Sequence, residues 1–482
     1  MFWGSQDAPV HVGRHKAPRP DQVGRALRRA LIVTVVPALF FAVLGYLVFA
    51  LNRGKIIDVA LDPTALLWVV VMIGVVWSLW VSLIWKIYAR NRSRSATLPF
   101  RALGAAGVGL MCLAVSAPMA VGARYAVVQR DVVHTVFGTH NSATTPKAVS
   151  AENPWGNRDR VNVLLLGGDG AVDRQGIRTD SVILASINVK TGSTTLFSLP
   201  RNLQDVPFKP GSPLAKIYPD GFTDGTPNNA EFFLNAVYRN VPALHPGVLG
   251  KTDNEGADAV KLAVEGATGI PVDYYVLVNL DGFARLIDVM GGITVNINEP
   301  IPIGGDTDRH IPPKKYLQPG PHQRLTGTNA LWYTRGRYGS TDYKRMARQR
   351  CAINAIVAKA SPALMLRKYT ALASASKDIV RTDIPAKLLH AFVDLAGKVK
   401  GKPIKSVGFE RSAKFNPNEP DFSYVRAAVY AALHPTGPVT PTGGSTGSSS
   451  GSSGSSSGGS TDNLPSKVSD TSSDCAYHPV TR

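Results

Sequence analysis

Cysteine is scarce: the chain has three in 482 residues, at 112, 351 and 475, and no C-x-x-C pair. This excludes the common structural zinc arrangements. Acids are scarce beside bases, with 34 Asp and Glu against 53 Lys and Arg and a formal net charge of +19. Such a balance favours polyanionic partners, and basic cytoplasmic flanks of membrane segments account for part of it. No Ser-His-Asp or Cys-His ordering offers the protein a nucleophile of its own. There is no internal repeat and no recognised nucleic-acid motif. Charge is also missing from the cores of three apolar stretches, 30–51, 65–85 and 102–120. Each approaches the ~20 residues that a membrane span needs, which predicts three transmembrane helices.

The flanks of those stretches set an orientation. Arg14, Lys16, Arg19, Arg25, Arg28 and Arg29 precede the first, and Lys86, Arg90, Arg92, Arg94 and Arg101 separate the second from the third. The loop between the first two has only Arg53 and Lys55, offset by Asp58 and Asp62. Both basic flanks belong on the cytoplasmic side. The expectation is a multi-pass protein of the cell membrane with a cytoplasmic N-terminus and everything after the third span outside the cell. A cleaved signal peptide fits poorly, because two further spans follow. Outside the cell there is neither nucleic acid to bind nor ATP, so transfer chemistry there needs an activated donor, such as a lipid-linked pyrophosphate in the adjacent bilayer. Cys351 and Cys475 would both lie in that oxidising space, where a disulfide between them is possible, whereas Cys112 sits in an apolar run as a small hydrophobe.

The chain divides into a basic N-terminus (1–29), a membrane region (30–128), a connector (129–160), a globular domain (161–434) and a Gly/Ser-rich linker with a Cys-containing tail (435–482). Within the globular part, 161–168, 181–189, 194–199, 272–280, 293–298 and 402–410 read as strands. Segments 227–240, 256–268, 282–290, 325–334 and 341–360 read as helices. Alternating strands and helices predict an α/β domain whose sheet is covered on both faces. The Gly/Pro-rich stretches 207–227 and 300–321 read as surface loops.

Polar residues gather at element ends. Asp169 follows a strand and a Gly167-Gly168 turn, Arg178 and Asp180 open the next strand, and Arg201 follows Pro200 at the end of the third. Arg335 and Arg337 follow a helix. Asp342, Arg345 and Gln349 are spaced to share one face of the next helix, with Arg348 at its flank. Arginines stay charged and match phosphate oxygens bidentately. Asp169 and Asp180 suit Mg2+, which binds one or two carboxylates and completes its shell with substrate phosphates. Such a set positions and neutralises a phosphoryl group instead of forming a covalent intermediate. Taken singly, each has a plainer reading: a turn-stabilising Asp169, a solvated Arg345/Arg348 face, an ordinary strand-end Arg201. Their joint occurrence in one domain favours the site.

At these residues the sequence resembles the LytR-CpsA-Psr family. The blocks that carry the resemblance are Val163-Leu-Leu-Leu-Gly-Gly-Asp169, Arg178-Thr-Asp180-Ser181, Ser198-Leu-Pro-Arg201-Asn202, Val289-Met-Gly-Gly and Leu325-Thr-Gly, followed by Arg335-Gly-Arg337, Asp342, Arg345, Arg348 and Gln349. The resemblance implies an αβα sandwich around a mixed central sheet. It implies Mg2+ near Asp169 and Asp180, and a pyrophosphate clamp of Arg178, Arg201, Arg335, Arg337 and Arg345. Asp342 would orient arginines or act as base, and Arg348 and Gln349 would line the substrate site. The implied reaction moves a glycopolymer phosphate from a polyprenyl-pyrophosphate carrier to a peptidoglycan hydroxyl. Many members carry an acid where this chain has Asn202, which removes an acidic role at that position. Asn202, Arg350-Cys351 and the Cys-containing tail resemble an actinobacterial branch. Two rivals use the same residues: a polyprenyl-pyrophosphate hydrolase, and a non-catalytic membrane regulator that binds lipid-linked intermediates.

Overall fold

In a computed structural model of the chain, the described residues are 59, 62–91, 98–137, 141–169, 177–306, 310–360, 380–435 and 468–478. They fall into two units, divided between Asp131 and Val132.

The first unit holds helix α1 (Pro63–Asn91) and all but the last five residues of helix α2 (Leu98–Val136). Two stretches, Thr64–Arg90 and Ala102–Val133, are long and apolar enough to cross a membrane. At 1.5 Å per residue each exceeds the roughly 30 Å of a bilayer's hydrocarbon core. They turn Trp68, Leu79, Trp85, Leu103, Leu110 and Leu113 outward, the reverse of a soluble helix. Trp77 Nε1 donates to Ser116 Oγ at 2.8 Å and links the two helices. The expected count of three spans is therefore corrected to two among the described residues, because the expected first stretch, 30–51, lies outside them. The second of the two helices also runs further than the sequence suggested. Val121, Tyr125 and Val127 prolong its apolar surface past 120, and it continues to Val136, inside the expected connector.

The second unit is built on a seven-stranded sheet of order β11-β10-β3-β2-β1-β4-β9. Its strands are β1 (Arg160–Asp169), β2 (Arg178–Asn188), β3 (Thr194–Leu199), β4 (Tyr274–Asn279), β9 (Val380–Thr382), β10 (Ile404–Gly408) and β11 (Ser469–Asp470). β1 pairs antiparallel with β2 and parallel with β4, so the sheet is mixed. Alternation along the strands loads both faces. Leu164, Leu166, Val182, Leu184, Phe197 and Leu199 point into one apolar layer. That layer is closed by α4 (Val237–Leu244), α5 (Glu255–Thr268) and α10 (Phe422–Leu433). Val161, Val163 and Tyr274 point the other way, against α9 (Leu389–Val399), and Ile183, Ala185 and Leu196 meet Ile353 and Val357 of α8 (Asp342–Lys359). This is the αβα sandwich with a mixed sheet.

The remaining elements are α3 (Pro213–Ile217), α6 (Leu280–Val289), β5 (Ile293–Ile297), β6 (Ile301–Ile303), β7 (Lys315–Leu317), β8 (Gly320–Leu325), α7 (Gly327–Arg335) and α11 (Thr471–Asp474). Three of them, β6 to β8, lie in or next to the stretch 300–321 that was read as loop; they form two small antiparallel ribbons, β5-β8 and β6-β7. The other expected loop, 207–227, is a surface loop interrupted by the short α3, and it is pinned from beneath. Phe208, Leu214 and Phe222 are fully enclosed there, and the rings of Phe208, Tyr218 and Phe222 stack edge-on or tilted against one another. The expected helix 227–240 shrinks to two 3-10 turns before α4, because Pro227 precedes Asn228, which has a positive φ of 56°.

A disulfide joins Cys351 on α8 to Cys475, with Cα atoms 5.5 Å apart. It fixes residues 468–478 on the domain, where β11 pairs with β10 and Asn296 Nδ2 donates to the Cys475 carbonyl at 2.8 Å. The bond closes a sequence separation of 124 residues. Cross-links over loops of that length stabilise by about 2–4 kcal/mol. Cys475→Ser should therefore lower the melting temperature by several degrees in thermal scans. Peptide mapping without reductant should recover a 351–475 cross-linked pair; two free thiols would contradict the bond.

Candidate active site

The site forms where β1, β2 and β3 end. In the β1–β2 ladder, Gly167 faces Ser181 but Gly168 faces Thr179, so the register slips between the glycines. Asp180 is the extra residue of this bulge, and bulges re-aim a side chain. Gly168 leaves room for its neighbours here, since a Cβ would sit 2.7 Å from Ile177 Cγ2 and 3.2 Å from Leu277 Cδ1 and force the Ile177 side chain to move.

Arg201, just past β3, donates from Nη1 to Asp180 Oδ1 at 2.7 Å, and its Nε lies 3.7 Å from Asp342 Oδ1. Asp342 opens α8 behind the N-cap Thr341, whose side chain accepts from Lys344 N. One turn on, Arg345 Nη2 lies 3.0 Å from the Asp342 carboxylate. The order Asp180–Arg201–Asp342–Arg345 thus alternates acid and base at the positive end of an 18-residue helix, which favours an anion. Two atoms in this row are buried without a hydrogen bond: Arg345 Nε, a donor, and Asp342 Oδ1, an acceptor. Native interiors rarely leave such atoms unpaired, and where they do a ligand or water is the usual complement.

Burial works to raise the Asp180 carboxyl, but the charge and hydrogen bond of Arg201, aided by Arg345 and Asn235, overcome it and hold the pKa below the usual value. Burial, together with Arg201 and Arg337, pulls the Arg345 guanidinium down against the support of Asp342 and Asp180. It remains charged, as arginine does in proteins.

The other expected residues are placed as follows. Arg337 lies close enough to Arg345 to affect it. Arg335, at the end of α7, stacks its guanidinium over the Trp332 ring at 5.7 Å. Arg178 pairs with Glu231. Asp169 ends β1 opposite Arg178, and its side chain lies outside the described residues. Arg348 is not on a solvated flank. It is buried, and it donates from Nε to the Tyr333 carbonyl at 2.7 Å and from Nη2 to the Gly336 carbonyl. Gln349 Nε2 donates to the Thr334 carbonyl at 3.3 Å. Both bind carbonyls at the end of α7, next to Arg335 and Arg337. Asn235, which donates to Asp180 Oδ1 at 3.4 Å, and Glu231 with Arg239 were not foreseen. Glu231 and Asn235 lie in the two 3-10 turns and Arg239 in the first turn of α4, a stretch that sequence periodicity merged into one helix.

Among the described residues no group of three or more His, Cys, Asp or Glu is gathered to hold a metal. Mg2+ needs fewer, since one or two carboxylates suffice when phosphate oxygens and water complete the shell. Asp180, kept ionised, fits that requirement, although Arg201 and Asn235 already occupy its Oδ1.

Residues 132–429 match the LytR_cpsA_psr family. The chain is 29% identical over 255 residues to biofilm regulatory protein A of Streptococcus mutans, covering 52% of this chain and 54% of that protein, and so spans about half the length of that relative. It is 28% identical over 275 residues to the polyisoprenyl-teichoic acid–peptidoglycan teichoic acid transferase TagU of Enterococcus faecalis, covering 55% of this chain and 77% of that one. Among solved structures, Bacillus subtilis TagV is 25% identical with a TM-score of 0.40, covering 57% of this chain and 96% of that chain. The sequence relatives are streptococcal, enterococcal and bacillary, and the expected actinobacterial branch is corrected accordingly. One amide and a cysteine pair report local chemistry, not lineage.

Proposed function

Because the chain belongs to the LytR_cpsA_psr family, we propose that it is a phosphotransferase that moves a glycopolymer from a polyprenyl-pyrophosphate carrier to peptidoglycan. The observation that carries this reading is the row Asp180–Arg201–Asp342–Arg345, in which the buried Arg345 Nε has no hydrogen-bond acceptor and Asp342 Oδ1 is held by ion pairs alone. Arg345 Nε is suited to a phosphate oxygen and Asp342 Oδ1 to the proton of an attacking hydroxyl. In the proposed step an acceptor sugar hydroxyl attacks the glycan-side phosphorus, and its proton passes to a carboxylate. The P–O bond to polyprenyl phosphate breaks, and that phosphate leaves. Arg201, Arg345 and Arg337 neutralise charge as it develops. Mg2+ would be held by Asp180, with Asp169 as its second carboxylate, and would supply further neutralisation of the pyrophosphate oxygens.

The chain is membrane-associated, with at least two spanning helices. In our reading Lys86, Arg90, Arg92, Arg94 and Arg101 keep the segment between them cytoplasmic, and the domain that follows is extracytoplasmic. The same rule puts the N-terminal basic segment inside. The Cys351–Cys475 bond suits an oxidising compartment.

The test uses the full chain in detergent with a synthetic polyprenyl-pyrophosphate sugar, Mg2+ and peptidoglycan oligomers, followed by mass spectrometry. Sugar phosphate attached to the oligomer, and lost in Asp180→Ala, is the expected product. Free sugar phosphate alone would make the protein a hydrolase, and donor binding without turnover a regulator.

A further inference from the structure

Beside the row just described lies a second cluster that none of its chemistry uses. Glu231 sits in the 3-10 turn Ala230–Phe232, and its two carboxylate oxygens are taken by two different guanidiniums. Arg178 Nη2 binds Oε1 and Arg239 Nη2 binds Oε2. Asn240 Nδ2 also reaches Oε2 at 3.0 Å, and Arg239 Nε donates to Asn240 Oδ1 at 2.8 Å. The cluster adjoins the site through the chain at both ends. Arg178 is two residues from Asp180, and Asn235, which bonds Asp180, is four residues beyond Glu231.

We propose that Glu231 is a built-in stand-in for a phosphate group: its carboxylate occupies Arg178 and Arg239 in the unliganded protein, and a pyrophosphate oxygen displaces it. This deepens the transferase reading and rests on it for the identity of the ligand. A carboxylate and a phosphate edge present the same pair of acceptor oxygens to a guanidinium fork. The Glu231 side chain is 46% exposed, against 24% for Arg178 and 31% for Arg239, so the carboxylate is the member free to swing out. Arg178 is also steadied through Nη1 by the Ala230 carbonyl at 3.4 Å, and Arg239 by Asn240, so both donors keep their places when the carboxylate leaves. Two cations and one anion leave a net positive charge for the ligand. Asn240 first, then Arg178 and Arg239, hold the Glu231 carboxyl below its usual value, so it competes as an anion throughout the neutral range. The proposal makes Arg239 a ligand-binding residue and Glu231 a determinant of donor affinity without a part in bond making.

The test is calorimetric titration of inorganic pyrophosphate into the full chain in detergent. Glu231→Gln should bind pyrophosphate about three- to tenfold more tightly, the range expected when two partly exposed ion pairs no longer have to be broken. Glu231→Asp should return toward the native affinity, and adding Arg239→Ala to Glu231→Gln should abolish the gain. In turnover the gain should appear in KM for the lipid donor, with kcat unchanged. Equal or weaker pyrophosphate binding by Glu231→Gln overturns the proposal, and so does a fall in kcat at constant KM. If Glu231→Gln tightens pyrophosphate binding but no variant transfers sugar phosphate, the transferase reading fails and the stand-in survives.

Discussion

Arg201→Ala should lower kcat/KM for the lipid-linked donor by about 10²–10³, the usual cost of removing one preorganised donor from a site that stabilises developing negative charge. The residue does two things at once. It pairs with Asp180 at 2.7 Å and reaches toward Asp342 at 3.7 Å, so its loss leaves Asp180 without its guanidinium partner and the two carboxylates with Arg345 alone to neutralise them. Arg201→Lys should recover only part of the loss, because an ammonium is a point charge without the fork. Undiminished turnover in Arg201→Ala would remove the acid–base row from the mechanism.

The same variant has a pH signature whose sign follows from the causes acting on Asp180. Burial alone raises this carboxyl, and Arg201 is the main reason it ends up lowered. In the native protein Asp180 therefore stays ionised below the ordinary aspartate value of about 3.9. Its contribution to stability is present above the unfolded-state value and fades as pH falls through the lower folded-state value. Without Arg201 the main opposition to burial is gone, and Arg345 and Asn235 alone resist the upward shift. The acid limb of the pH–rate profile should then move to higher pH, whereas a purely steric role for Arg201 would leave the limb in place.

What the sequence disclosed and what it withheld have separate physical causes. The strands carrying the core alternate cleanly, so β1 and β3 could be read almost to the residue, and α5 and α8 nearly so. Strand β5 was legible, but its partner β8 and the ribbon β6-β7 were hidden because Pro300, Pro302, Pro312 and Pro313 imitate loop composition while the neighbouring residues still pair. The strand ends that gather Asp180, Arg201 and Asp342 were legible because charge stops a strand or opens a helix. The roles of individual arginines were not. Arg345 and Arg348 are three apart on α8 and chemically alike, yet one faces the carboxylates and the other holds backbone carbonyls of α7. Only the packing of α7 against α8 separates them. Glu231 left no signal, since 227–240 reads as one helix and a lone acid on a helix reads as solvated surface.

The largest effect on stability should come from the far end of the sheet. Lys261 on α5 and Asp383 after β9 form an ion pair at 2.6 Å, with side chains 1% and 2% exposed. Lys261 Nζ also donates to the Asp273 carbonyl at 2.9 Å, while Asp383 accepts from Tyr275 N at 2.7 Å and Thr145 Oγ1 at 2.9 Å. Breaking a buried pair on one side costs about 3–5 kcal/mol, because the surviving charge has no partner. Lys261→Met is thus expected to lower the melting temperature by on the order of 10 °C. The double variant Lys261→Met/Asp383→Leu should recover only part of this, since Tyr275 N then loses its buried acceptor. Activity well below the melting temperature should persist. The pair lies beside Tyr274, which is in register with Val163, whereas Gly168 at the bulge is five residues further along β1. At about 3.3 Å per residue that is roughly 17 Å. A Lys261→Met protein that melts like the native chain would mean that water reaches the pair and that it contributes little. One that melts early but keeps the native KM for donor would separate the two ends of the sheet, one holding the domain together and the other acting on phosphate.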